Sequence, residues 1–139
     1  MKYIRILIFI PLLMAFQCDD DIDITQDYLY DSGLLGTWEI TDETVNGISD
    51  MNPKCCIFFE FSPDNNENDL VGIYAYSDEL GNYYNDKFIV DPINQLILLD
   101  RDNGEQQSYE FTVDNSAEYL TFSFTENGLN FEQDWRKVY

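Results

Sequence analysis

Apolar and polar residues alternate along most of the chain from Thr37 onward. Trp38 and Ile40 share one parity, as do Cys55, Ile57, Phe59 and Phe61, then Tyr109, Phe111 and Val113, then Leu120, Phe122 and Phe124, then Leu129, Phe131 and Trp135. Between them stand Glu39, Thr41, Glu43, Glu60, Glu110, Thr112, Thr121, Ser123, Glu132 and Asp134. A period of two places successive side chains on opposite faces of a strand, so each run predicts a strand with one apolar face. The predicted strands are Thr37–Val45, Lys54–Ser62, Leu70–Ser77, Tyr83–Val90, Gln95–Asp100, Gln106–Val113, Tyr119–Thr125 and Leu129–Val138.

The separators are turn-forming: "SPDNNEND", "DELGN", "DPIN", "RDNG", "DNSAE" and "ENG". Their shortness implies antiparallel neighbours in a meander. A sheet with one apolar face and no helix to cover it must hide that face by closing on itself. The expectation is therefore an all-β, eight-stranded antiparallel up-and-down barrel. A two-layer sandwich is the alternative that the same alternation permits. The run "QLILLD" is continuous rather than alternating, and "YLYDSGLL", Tyr28 to Leu35, is expected to form a short helical plug over its outward face.

The N-terminus has a different pattern. Lys2 and Arg5 precede an apolar run, Ile6 to Phe16, broken only by Pro11. That is a secretory leader, too short for the roughly 20 apolar residues a bilayer-spanning helix needs. Ala15-Phe16-Gln17-Cys18 resembles the lipobox of bacterial lipoproteins. The resemblance implies a leader over residues 1–17, acylation of Cys18, and membrane attachment through an N-terminal lipid anchor. The alternative is an ordinary leader with Cys18 an incidental thiol. Asp19, Asp20, Asp21, Asp23 and Asp27 follow without a cation, so residues 18–32 read as a solvated acidic tether. Residues 33–139 are left for one barrel domain. The expected location is the cell envelope, at the outer membrane and facing the cell surface. An aspartate after the cysteine also resembles an inner-membrane retention signal, so the leaflet stays open.

The chain carries 7 Lys+Arg against 27 Asp+Glu, a net charge of −20. Binding to nucleic acid rests on clustered cations that release counterions, and this composition excludes it as a partner. Histidine is absent. That removes Ser-His-Asp and Cys-His nucleophiles, imidazole-based zinc sites and the commonest neutral-pH general base. Carboxylates abound without a pair that stands out, and the expectation is a protein that is not an enzyme and uses no cofactor.

"LLGTWEITDETVNG" carries a family resemblance. Gly36-Thr37-Trp38 at the first strand is similar to the Gly-x-Trp motif of the lipocalin group. There the tryptophan packs across the closed end of the barrel beneath a basic residue of the last strand. "DWRKVY" offers Arg136 for that role, with Lys137 as the alternative. The resemblance implies that Gly36, Trp38 and Arg136 close the barrel. It also implies a lipocalin-like domain of the kind found in bacterial envelope lipoproteins.

Candidate ligand contacts follow from inward parity: Ile40, Asp42, Phe59, Tyr74, Phe88, Phe111, Phe122, Phe131 and Gln133. Asp42 and Gln133 would orient a polar group, or sit wet at the mouth; the aromatics either line a pocket or fill it. Cys55 and Cys56 are adjacent, and their ~3.8 Å Cα separation is below disulfide range. Cys55 is expected inside and Cys56 outside. Asp64, Asn66 and Asn68 begin the spacing of a calcium loop, but Asp69 and Ala75 stand where its glycine and glutamate belong, so no metal site is assigned. Two functions fit: a lipid-anchored, non-catalytic barrel that holds a small hydrophobic or amphipathic ligand, or a filled barrel serving as a structural or protein-interaction module.

Overall fold

A computed structural model of the chain describes residues 29–30, 32–50, 56–65, 69–101 and 104–138. The leader, Cys18, most of the tether, Cys55, Asn66 and Asn68 lie outside the described residues. The strands are β1 (Gly36–Val45), β2 (Ile48–Ser49), β3 (Phe58–Pro63), β4 (Val71–Ser77), β5 (Tyr83–Asp91), β6 (Leu96–Asp100), β7 (Gln106–Val113), β8 (Tyr119–Glu126) and β9 (Leu129–Val138). They pair antiparallel in the order β2-β1-β3-β4-β5-β6-β7-β8-β9, and β9 pairs back onto β1 from Thr37↔Val138 to Val45↔Phe131. The result is a closed eight-stranded up-and-down barrel with β2 appended to the far end of β1. Closure removes the sandwich alternative.

Turn chemistry sets two of the hairpins. Asn46 and Gly47 have φ of 52° and 76°, and Asn127 and Gly128 have 52° and 78°. Two left-handed residues in a two-residue loop make the type I′ turn, whose twist matches that of the strands it joins. The third strand differs from expectation at its start. It begins at Phe58, and Cys56, exposed as expected, precedes it in a bend at φ 72° rather than within a strand.

The barrel ends are unlike. The connections after β3, β5 and β7 gather at the end where the chain enters, and those after β1, β4, β6 and β8 gather at the mouth. At the entry end Leu29 and Leu34 are buried and join the interior cluster around Trp38, rather than the outer face of β6. Leu96 and Leu98 remain half-buried on that outer face. Trp38 is fully buried, and its Nε1 donates to the Leu34 carbonyl at 2.7 Å.

The cation over Trp38 is Lys137, not Arg136. Its Nζ lies 5.1 Å from the ring centroid and donates to the Gly33 carbonyl at 3.4 Å. The register explains the correction. Trp135 and Lys137 share the inward parity, whereas Arg136 is exposed on the outer wall opposite Glu39. Gly36 makes room for the arrangement: its φ is 128°, and a Cβ there would come within 2.8 Å of Lys137 Cε.

Below the mouth the interior is filled. Phe61, Phe88, Val90, Ile97, Leu120, Phe122 and Trp135 are each at most 2% exposed. Phe88 lies across Gly72, its partner on β4, so closely that a Cβ on Gly72 would sit 2.3 Å from the ring. Rings pack edge to face, Phe61 on Phe88 at 5.3 Å and Phe59 on Phe122 at 5.9 Å. Full burial of side chains of this size contributes roughly 1.5–3 kcal/mol each.

A bulge in β1 changes what faces inward. Ile40 pairs with Trp135 but Asp42 pairs with Asp134, leaving Thr41 as the extra residue. Its hydroxyl donates to the Asp134 carbonyl at 3.0 Å. One inserted residue reverses the facing of every later side chain. Glu43, expected outside, is buried, and Asp42, expected inside, accepts from the Ser49 hydroxyl of β2 at 3.1 Å on the exposed side.

Candidate functional site

The inward side chains nearest the mouth stop short of meeting. They leave a cup of about 510 Å³ lined by Phe59 of β3, Tyr74 and Tyr76 of β4, Tyr84 of β5, Leu99 of β6, Arg101 just beyond it, Tyr109 of β7, Phe124 and Glu126 of β8, and Gln133 of β9. The strand parities place most of them: Tyr74 and Tyr76, or Phe122 and Phe124, are successive inward positions on one strand. Phe59 contacts Tyr74, Tyr76 and Trp135 at centroid distances of 6.0, 4.9 and 5.0 Å and forms part of the floor. Tyr76 and Tyr84 stack at 6.4 Å.

One cation enters this aromatic wall. Arg101 Nη1 lies 3.0 Å from Glu126 Oε1, and Nη2 donates to the Tyr109 hydroxyl at 3.3 Å. Burial opposes the Arg101 charge, but the Tyr109 hydroxyl and the Glu126 carboxylate outweigh it and hold its pKa above the ordinary value. Burial raises the Tyr109 phenol, with Arg101 pulling in the opposite direction. The Arg101–Glu126 side chains are more than a third exposed, so their attraction contributes only about 0–1 kcal/mol to stability. Gln133 Nε2 donates to Glu43 Oε2 at 2.5 Å, placing a buried carboxylate directly behind the cup.

The wall has a seam beside the cup. Among the described residues β5 pairs with β6 only from Phe88 to Asp91, so Tyr83 to Lys87 run past the end of β6. The Tyr74 hydroxyl crosses from β4 and donates to the Asp100 carbonyl at 2.5 Å, tying the two sides from within.

Of the residues expected to contact a ligand, Phe59, Tyr74 and Gln133 line the cup. Ile40, Phe88, Phe111 and Phe122 face inward but are buried in the packed lower interior. Asp42 is turned away by the bulge. Phe131 stacks flat on Phe124 at 5.0 Å and borders a different depression of about 580 Å³, which outward residues such as Thr44, Glu110, Ser123 and Glu132 also line. Sequence reasoning missed Tyr76, Tyr84, Tyr109 and Phe124, which share the parity of inward residues on their strands, and Leu99, which the continuous run of β6 concealed. It also missed Arg101 and Glu126, the charged members of the lining among the described residues.

The cup can take up a small molecule with an apolar body. Rings offer stacking surfaces, and the tyrosine hydroxyls, Gln133 and the Arg101–Glu126 pair offer polar contacts at its rim. Among the described residues, no group of three or more Cys, Asp or Glu could hold a metal ion.

No family model matches the sequence, and no curated protein matches it. Among solved structures, a mutant form of the fluorescent protein UnaG is similar, with 14% identity over 77% of this chain and 97% of that one, at a TM-score of 0.49.

Proposed function

We propose that this protein is a lipid-anchored lipoprotein of the cell envelope whose lipocalin-like barrel holds a small hydrophobic or amphipathic ligand without transforming it. The observation that carries this reading is the cup: about 510 Å³ of space over a packed aromatic floor. Pockets for small molecules run from ~300 to 1,000 Å³ and are mostly apolar with a few placed polar groups. The packed lower half is what a filled structural module would show throughout, but here the filling stops below the mouth. The anchor rests on the lipobox-like Cys18 and the acidic tether behind it. The outer membrane and the cell surface are the location we assign.

Native mass spectrometry of protein purified from its source tests the ligand: a co-purifying small molecule is expected. Tyr76→Ala and Phe124→Ala should each reduce its retention by about tenfold, consistent with losing one ring contact in a desolvated site. Retention unchanged in both variants would move the ligand out of the cup. For the anchor, labelled fatty acid should be incorporated by the native chain and lost in Cys18→Ser.

A further inference from the structure

We infer that the cup selects an organic cation: an ammonium-bearing molecule with an apolar or aromatic body. The inference rests on the reading of the cup as a ligand site and specifies the sign of the charge that site favours. Two independent features point the same way. The first is the lining, in which four tyrosine and two phenylalanine rings surround the space. The negative faces of aromatic rings attract ammonium groups, the basis of aromatic cages for such ligands.

The second feature is where the cations stand among the described residues. Arg136 and Lys137 stand at the sealed end, Lys137 committed to Trp38, and Lys87 is exposed on β5, out of the lining. At the mouth, Asp50, Asp78, Glu79 and Glu105 flank or occupy the connections, with Glu126 in the wall and Glu43 buried behind Gln133. Arg101 is the one cation among the described mouth residues, and Glu126 and Tyr109 already engage it. A cleft with low-dielectric walls concentrates the field of such a distribution at its opening.

The two signs of ligand charge therefore meet different reception. An anion must enter against the field of a chain of net charge −20 and displace Glu126 from Arg101. An ammonium group is drawn in, meets rings, and competes with Arg101 for Glu126. Arg101 already holds the carboxylate that an ammonium would seek, so its removal should improve binding rather than abolish it.

Calorimetry on the full chain with three probes sharing a naphthalene ring tests the inference: 1-naphthylmethylammonium, 1-naphthoate and the neutral 1-naphthalenemethanol. The ammonium should bind about tenfold or more tighter than the carboxylate at low salt, and the gap should narrow as salt screens the mouth. Glu126→Gln should weaken the ammonium severalfold, and Arg101→Met should tighten it. Naphthoate binding as well as or better than the ammonium overturns the inference, as does an Arg101→Met chain that keeps its melting temperature yet loses ammonium affinity. If the neutral alcohol binds and the charged probes show no preference, the cup stands as a site and the charge selection falls. If none of the three binds, the cup itself is refuted as the site, and the inference with it.

Discussion

Trp38 and Trp135 are both fully buried, yet their indole N–H groups differ. Trp38 Nε1 donates to the Leu34 carbonyl, whereas Trp135 Nε1 has no acceptor among the described residues, and the Trp135 ring packs against Phe59 and Phe122 at centroid distances of 5.0 and 6.2 Å. A hydrogen bond of the first kind contributes about 1 kcal/mol net, and removing its donor also strands a buried carbonyl. Both Trp→Phe changes lose comparable ring area. Trp38→Phe should therefore lower stability by about 1–2 kcal/mol more than Trp135→Phe. Urea denaturation of the two variants measures that difference, and equal losses would show that the Leu34 bond contributes nothing.

Among the elements, the β7–β8 connection is held by a single carboxylate. Asp114 Oδ1 accepts from the backbone of Glu118 and Tyr119, both at 2.9 Å, and Oδ2 accepts from the backbone and hydroxyl of Ser116. The Ser116 hydroxyl and these amides lower the Asp114 pKa from 3.8 to about 2. Folding thus depresses the pKa, so the stabilisation is complete above 3.8 and disappears as pH falls through about 2. Asp114→Asn should be less stable than the native chain at neutral pH, and the gap should close between those two values. A gap that persists below pH 2 would assign the loss to something other than the charge.

The same scale shows what was legible in the sequence. All eight barrel strands could be placed, five because their apolar faces mark the period of two directly and the others as apolar and aromatic runs bounded by turn residues. The bulge was harder to read: Thr41, Asp42, Glu43 and Thr44 are all polar, so only Val45, the last residue of β1 and opposite in parity to Ile40, records that the facing has reversed. Parity gives the face of a side chain but not its depth along the barrel. For that reason Phe88, Phe111 and Phe122 were readable as inward and unreadable as floor rather than cup. Arg101 stands one residue beyond β6, where the path of a turn and not strand periodicity aims the side chain.

For the molecule as a whole, charge is the dominant stress. A net charge of −20 on a chain of 139 residues makes the folded state repel itself. Moderate salt, with a Debye length of ~10 Å at 0.1 M, screens much of that repulsion. The urea midpoint at neutral pH should rise as sodium chloride is added, with the denaturant slope unchanged. A midpoint indifferent to salt would mean that the carboxylates are spread widely enough not to oppose folding.

Gly36 opens β1 and Val138 closes β9 on the same side of the barrel, where Lys137 and Trp38 close its base. A surface or a probe coupled beside Gly36 or Val138 would thus lie beneath the base, with the aromatic opening facing away from it. Immobilised at those two strand ends, in a sensor or on a resin, the barrel would stand like a goblet on its foot.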